Sequence, residues 1–346
     1  MKKQLIILLV IAVTFSFGQY KGGTTAAQFL KIGIGSRATG MGEAYVAMSQ
    51  DATGLYWNPA GIAQAGGGEI LFQRNNWIAD VAINYIGVIF PLYGIGTVGV
   101  SITSLTMDDM PVTTELEPDG TGEEFTASDL AMQVSVGRSL TDRFSIGFNA
   151  KYIQQNIWHS TATAMAIDVG TLFRTQFNDM RLGMSISNYG SSMTMTGRDG
   201  LERYDPAPGF EGNNDAIPVD YSMDAWDLPL IFRVGVAMEV LEMGVTKVTV
   251  AVDAIHPNDN YESINLGTEI SILDKYFLRA GWKSPFVETN TSLAAADLER
   301  REEGFTVGAG FDLPLFGSAS GLRFDYAYAD FGRLNNTQRF NMSLYF

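Results

Sequence analysis

No cysteine occurs in the 346 residues, and there are only two histidines, His159 and His256. Without thiols there is no disulfide framework, no thiolate metal site and no cysteine for a lipoprotein anchor. Neither histidine has a partner at metal-ligand or H-E-x-x-H spacing, so no metal or other cofactor is expected. Charge is sparse as well. Asp, Glu, Lys and Arg together make up 18% of the chain, below the roughly 25% of ordinary soluble domains. Basic residues are the scarcer sign, 23 against 38 acids, giving a formal charge of −15. That balance argues against a nucleic-acid partner, which needs a basic face. Beyond the first residues no apolar run reaches the length of about 20 residues that a membrane-spanning helix requires. Catalytic signatures are missing too. Gly33-Ile34-Gly35-Ser36-Arg37-Ala38 imitates a dinucleotide fingerprint, but it lacks a preceding buried strand and a following βαβ unit. Ser36 and Ser49 have no base nearby in sequence and no nucleophile elbow. The chain is not expected to be an enzyme.

What is abundant points to strands. Aromatic residues make up 12% of the chain, and there are 37 glycines, a composition suited to a membrane barrel with aromatic girdles. From Gly68 onward apolar and polar residues alternate with period two. Phe144, Ile146, Phe148, Ala150 and Tyr152 fall on one face, with Ser145, Gly147, Asn149 and Lys151 on the other. The same alternation recurs over 228–241, 244–256, 262–273 and 319–330. In all, the pattern predicts fourteen strands: 68–76, 80–91, 95–107, 125–139, 143–157, 162–175, 180–190, 228–241, 244–256, 262–273, 275–284, 303–314, 319–330 and 336–346. Short turns alternate with connections that include the long polar segments 108–124, 191–227 and 285–302, as in outer-membrane barrels. The last strand ends on Phe346 with Phe340, Met342 and Leu344 on its apolar face, a terminal-aromatic pattern of the kind that barrel-insertion machinery reads. At the other end, Lys2 and Lys3 precede an apolar stretch from Leu5 to Val13, and Ser16-Phe17-Gly18 offers a cleavage site. Residues 1–18 are therefore expected to be a signal peptide removed on export. Its loss takes two lysines with it and moves the formal charge from −15 to −17.

The fold expected is an all-β membrane protein, a fourteen-stranded antiparallel outer-membrane barrel over residues 68–346 with a short plug over 19–67. Lys151, Asp168, Arg174, Arg233, Glu239, Asp253, Glu269, Arg279, Lys283, Arg323 and Asp325 all lie opposite the apolar face. Each would cost up to a few kcal/mol in mid-membrane lipid, so they should face the lumen. Their signs are interspersed, which suits a paired network holding the plug in place. The alternative is a polar conduit or ligand site. Arg37 is placed to pair with Asp253 or Glu269. Segment 108–124 carries seven acids and no basic residue, which suits a solvated loop, one holding divalent cations that bridge to lipopolysaccharide, or one meeting a basic protein surface. In segment 191–227, Met193, Met195, Leu201, Tyr204, Phe210, Tyr221, Met223 and Trp226 are too many large apolar residues for a purely solvated loop. It is expected either to fold over the barrel mouth or to present a partner surface.

The stretch around which the rest is arranged is Phe29 to Ala63, FLKIGIGSRATGMGEAYVAMSQDATGLYWNPAGIA. Gly33, Gly35, Gly40 and Gly42 permit tight backbone packing, Ala44 to Met48 suits a short buried helix, and Asp51 suits a turn or cap. Trp57-Asn58-Pro59-Ala60 joins an aromatic anchor, an Asx-type turn former and a rigid proline. This run resembles the N-terminal hatch of FadL-type outer-membrane barrels, and within that superfamily it is most similar to the PorV/PorQ group of Bacteroidetes-type bacteria. Asp253-Ala254-Ile255-His256-Pro257, Ile264-Asn265-Leu266-Gly267 and Leu278-Arg279-Ala280-Gly281 match the group more weakly. The resemblance implies an outer-membrane protein of a Gram-negative bacterium, in contact with lipid and lipopolysaccharide. It also implies a role around type IX secretion, with secreted cargo proteins or a translocon as partners. The alternative it carries is a FadL-like channel taking up hydrophobic small molecules through a hatch and a lateral wall opening. On that alternative the hatch around Arg37, Gly40, Gly42, Asp51 and Trp57 to Ala60 would be the gate.

Overall fold

The computed structural model describes residues 22–78, 81–209, 212, 214, 216–285, 304–315, 320–332, 334 and 336–346. The expected signal peptide, loop 285–302 beyond its first residue, and Phe210 lie outside the described residues. Fourteen long strands form one antiparallel sheet that closes on itself. In chain order they are β1 (Glu69–Asn76), β2 (Ala82–Leu92), β3 (Gly96–Thr106), β4 (Ala127–Ser139), β5 (Phe144–Ile157), β6 (Ser160–Arg174) and β7 (Arg181–Gly190). The second half comprises β8 (Ile231–Met243), β9 (Thr246–Pro257), β10 (Ser263–Ile272), β11 (Tyr276–Pro285), β12 (Phe305–Leu315), β13 (Ser320–Ala329) and β14 (Thr337–Tyr345). Each strand pairs with its neighbour in sequence, and β1 closes the ring on β14, with Glu69 opposite Tyr345 and Phe72 opposite Met342. Closure leaves the wall no unpaired edge, which is the condition for strands to stand in lipid. The fourteen expected strands are present with boundaries shifted by a few residues. β8, for instance, starts at Ile231 rather than 228.

The wall is inside-out relative to a soluble protein. In β5 Phe148 is 47% exposed while Lys151, three residues on, is 8% exposed. Phe72, Val134, Met184, Phe232 and Leu266 face outward in the same way, and Gln73, Gln133, Ser185, Arg233 and Asn265 face inward and are buried. The period-two pattern thus sorts apolar residues toward lipid and polar ones toward the lumen. Short turns cluster at the rim where β1 begins. In the two-residue turn after β8, Gly244 takes the left-handed φ of 61° that such a hairpin favours. The long connections 107–126 and 191–230 leave from the opposite rim and form small ladders of their own, such as Leu201–Tyr204 with Ile217–Asp220.

Inside the ring lies the described segment before β1, residues 22–68. It has two short helices, α1 (Ser36–Gly40) and α2 (Gly54–Trp57), and 3-10 turns at Gln28–Lys31 and Gly61–Gln64. Ile34, Ala38, Met41, Tyr45, Leu55 and Ile62 are fully buried. Ala44 to Met48 is buried as expected from its small apolar residues, but it is a turn and not a helix. The reason lies just before and beneath it. Gly42 and Glu43 both take positive φ, 64° and 62°, and the N–H groups of Tyr45 and Val46 donate to the Asp253 carboxylate instead of along a helix.

The outward orientation of β5 yields a direct test. Phe148→Arg should lower stability by about 2–4 kcal/mol, the cost of a guanidinium near the bilayer midplane. The check is the urea midpoint of barrels folded into lipid vesicles. An unchanged midpoint would place this face away from lipid.

Candidate functional site

The inner segment meets the wall both through charge and through bare backbone, and β10 and β11 contribute to each. Among the charged contacts, Arg37 of α1 makes a two-pronged pair with Glu269 of β10, Nε to Oε2 at 2.8 Å and Nη2 to Oε1 at 2.7 Å. Glu269 also accepts from Arg279 of β11 at 2.7 Å, and Arg279 reaches Asp325 of β13 at 2.6 Å. The row runs Arg37, Glu269, Arg279, Asp325 across four elements, with signs alternating. Asp51 adds a longer contact to Arg37 at 3.4 Å and accepts from Tyr45 Oη at 2.8 Å and from the Thr53 N–H. Removing one member of such a buried row typically costs about 3–5 kcal/mol, because its partner is left charged and dry. Arg323 stands apart from this row, in a two-pronged pair with Asp312 of β12. Glu43 is a further node, 2.8 Å from Lys283 and 3.7 Å from Arg339. Burial alone would raise the Glu43 carboxyl, but Lys283 and then Arg339 outweigh it and hold it below its ordinary value.

The backbone contact turns on Trp57 to Ala60. The Trp57 indole donates to Ile34 O at 2.7 Å, and Asn58 folds back to accept from the Ala60 N–H, an Asx-type turn. The Asn58 amide also donates to Val46 O at 2.9 Å and to Thr171 O of β6 at 3.0 Å. This brings Pro59 hard against the wall, and the wall there is glycine. Gly137, Gly147 and Gly170 stand opposite one another on β4, β5 and β6, and Gly183 stands opposite Gly235 on β7 and β8. Gly267 and Gly281 form a third pair on β10 and β11. A methyl group on Gly147 would overlap the Pro59 carbonyl, one on Gly170 the Asn58 amide oxygen, and one on Gly281 the Gly42 N–H. Gly40 also packs on Gly308 of β12, less closely than these. The band was not anticipated from sequence. Its trace there is one glycine per strand at matching register, visible only once the pairing is known.

At the long-loop rim the filling is looser. Lys151 pairs with Asp168 at 2.7 Å and with the Asn188 side chain at 2.8 Å, beside the one irregular register of β6 and β7. Arg233 lies under the rim, its guanidinium 5.3 Å from the Trp57 ring and 5.6 Å from Tyr56, with Nη1 3.2 Å from Ser187 Oγ. Above it is a cavity of about 730 Å³ bounded by Phe29, Trp57, Trp77, Asn265 and the strap Thr25–Gly33. Asp259, also unanticipated, clasps that strap. It accepts from Thr25 at 2.6 Å, Gln28 at 2.7 Å and Lys31 at 3.0 Å while itself 1% exposed. Burial alone would raise the Asp259 carboxyl, and these three donors outweigh it and hold it below its ordinary value. Of the loop residues singled out, Met193 is buried beside Phe29 and Leu228, whereas Leu201, Tyr204, Tyr221 and Trp226 are all at least 49% exposed. The side chains of these four residues point to solvent, while the ends of the same connection pack on the inner segment through Met193, Leu228 and the Asp227 carbonyl, which accepts from the Ala26 N–H.

Two tests arise here. Gly147→Ala should cost about 1–3 kcal/mol by overpacking against backbone that cannot yield, whereas Gly66→Ala, with open space around it, should stay within about 0.5 kcal/mol of the parent. Urea midpoints decide between them, and equal midpoints would remove the band from any structural role. The clasp has a pH sign. A carboxyl held low contributes stability above its unfolded value, near about 3.9, and loses it as pH falls toward the folded value. Proteolysis at the strap should therefore rise below about pH 4. Asp259→Asn should bring the same susceptibility at neutral pH.

Comparison with known proteins agrees with this geometry. No curated protein matches the chain. Solved structures that resemble it include the Pseudomonas putida toluene transporter TodX, with a TM-score of 0.54 at 11% identity, covering 90% of this chain and 97% of that one. The CymD monoaromatic hydrocarbon channel gives 0.52 at 11% identity over 90% and 96%, and the Ralstonia pickettii toluene transporter TbuX gives 0.51 at 10% over 90% and 97%. At such identities these likenesses speak for the fold alone, a closed antiparallel β-barrel around an inner segment. The family model described as type IX secretion system protein PorV matches residues 17–208, more than half of the sequence, and the chain therefore belongs to the PorV family.

Proposed function

We propose that this outer-membrane barrel is a non-enzymatic carrier that binds exported proteins at its outer rim in connection with type IX secretion. In this reading residues 19–67 are a fixed hatch, and export proceeds through a leader at residues 1–18. The carrying observation is the contrast between the two ends. Toward the short turns the lumen is packed backbone to backbone, whereas Leu201, Tyr204, Tyr221 and Trp226 stand exposed on the opposite rim. A surface of exposed aromatic side chains on long loops suits protein recognition. The acidic loops beside it, seven carboxylates over 108–124, would steer basic partner surfaces. The other reading, a channel for hydrophobic small molecules, draws on the partly apolar cavity beneath the rim.

Mild-detergent recovery of the tagged protein from its native outer membrane separates the two readings. Exported proteins with a shared C-terminal sorting segment, or a large translocon barrel, should co-purify. Deleting 198–224 should abolish that recovery while leaving heat-modifiable gel migration intact. Recovery of the barrel alone with bound hydrophobic molecules would replace the carrier reading with the channel one.

A further inference from the structure

The outer face of the wall carries an unpaired cation on its long-loop half. Arg74 of β1 points outward with Phe72 and Asn76 and is exposed. Lys151, Arg233, Arg279 and Arg339, by contrast, are buried in the lumen. Among the described residues no carboxylate lies within ion-pair distance of Arg74. An arginine that faces lipid is costly at mid-depth and tolerated near the headgroups. Arg74 stands two residues short of Asn76, where β1 ends at the long-loop rim. Around it is a polar recess of about 550 Å³, bounded also by Asn76, Asn336, Gln338 and Phe340. Asn84 of β2 stands directly opposite Arg74. Among the described residues no acid lines this recess, and its amides are hydrogen-bond donors.

An apolar furrow of about 820 Å³ starts at the same place, and Arg74 and Phe340 line both. The register gives its course. Arg74 stands opposite Phe340 of β14, Phe340 opposite Tyr326 of β13, Tyr326 opposite Ala309 of β12, and Ala309 opposite Leu278 of β11. Along this row the long-loop rim recedes. Arg74 is two residues from the end of β1, Ala309 four from Phe305 at the start of β12, and Leu278 seven from Pro285 at the end of β11. The furrow therefore descends into the bilayer from a polar upper end. Ala309 keeps its floor low, and the ring pairs Phe311–Phe324 and Tyr326–Phe340 stand beside it with centroids 5.1 and 5.0 Å apart. An apolar protein segment lying here would bury Arg74 without a counter-charge, whereas a lipid headgroup brings an anion that stays hydrated.

We propose that recess and furrow form one site for a phosphomonoester lipid of the outer leaflet, with the phosphate on Arg74 and an acyl chain laid along Tyr326 and Ala309 toward Leu278. A planar guanidinium matches two phosphate oxygens at once, and the neighbouring amides supply donors for the third. The site lies on the outside of the wall, so it is independent of the carrier reading, which concerns the loops above.

Native mass spectrometry of the full chain released from detergent micelles tests it by counting the lipids retained at equal doping. The probes are dioleoyl phosphatidate, dioleoyl phosphatidylcholine and dioleoylglycerol, which share their acyl chains and differ in the headgroup. A single phosphatidate should be retained, at least about tenfold more than either other lipid, the gain of a charge-assisted pair. Arg74→Gln should bring phosphatidate down to the level of phosphatidylcholine, and Ala309→Phe should lower it by filling the furrow. Arg138→Gln, which removes the exposed arginine beside the short-turn end of β4, should leave retention unchanged. All three variants alter outward side chains and should keep heat-modifiable migration. Should Arg74→Gln fail to fold, Ala309→Phe and the comparison of lipids on the parent protein still decide. Equal retention of the three lipids, an unspecific annular shell only, overturns the proposal. So does an equal loss with Arg138→Gln and Arg74→Gln, or unchanged retention with Ala309→Phe.

Discussion

A ring of fourteen strands encloses more space than its own inward side chains can fill. Here the chain preceding β1 occupies that space, and the requirement that its irregular backbone be hydrogen-bonded inside a dry lumen shapes the rest of the wall. Helices as short as Ser36–Gly40 and Gly54–Trp57 leave most of their N–H groups without internal partners. Wall side chains supply them. Asn341 accepts from the Ser36 N–H at 2.7 Å, Glu69 from Ala52 at 2.9 Å, Thr306 from Gly42 at 2.9 Å, and Asp253 from Tyr45 and Val46. Side chains this short reach the backbone only if the segment lies close to the wall. Where it comes closest, the wall has given up its own side chains for glycine.

Charge follows from the same geometry. Carboxylates needed to accept from N–H groups bring negative charge into the lumen, and arginines balance it from neighbouring strands. Arg37, Glu269, Arg279 and Asp325 therefore form an alternating row and not a scatter of separate pairs. Against that balance Arg233 is conspicuous. Its guanidinium is stabilised by the faces of Trp57 and Tyr56, worth about 0.5–2 kcal/mol each, which holds the cation in place without cancelling its charge. It is buried, and it is held by ring faces and by Ser187 Oγ, not by a direct ion pair as in the row beneath it.

The sequence made the wall legible because lipid and lumen impose opposite demands on alternate residues. Phe148 and Lys151 could exchange faces only by a register slip that would reverse every neighbour on the strand. Strand count and connection lengths followed from that periodicity alone. The inner segment was less legible because its conformation is set by partners far away in sequence. Ala44 to Met48 has a composition that favours a helix, yet Asp253, more than two hundred residues distant, takes its N–H groups. Arg37 showed the converse. Two wall carboxylates were chemically suitable, and position chose Glu269, leaving Asp253 to the backbone. Asp259 escaped notice because a lone aspartate in a short polar loop has no local signal, and its importance comes only from the three side chains that converge on it.

The asymmetry between the ends bears on what such a barrel can do. To open an axial path, the inner segment would have to leave the Glu269 pair, the Glu43 pair and several buried N–H acceptors together. Each buried ion pair broken costs about 3–5 kcal/mol and each unsatisfied polar group about 1–3 kcal/mol. A ligand can shift an equilibrium only by its differential affinity for the two states, and couplings between sites are commonly about 1–3 kcal/mol. The sum of contacts to be broken exceeds that by a wide margin. Binding at the rim needs none of them to break, since the cavity above Arg233 is already open on the side of the long loops. The energetics thus set axial opening, which must dismantle the packed segment, apart from binding at the rim, which leaves that segment in place.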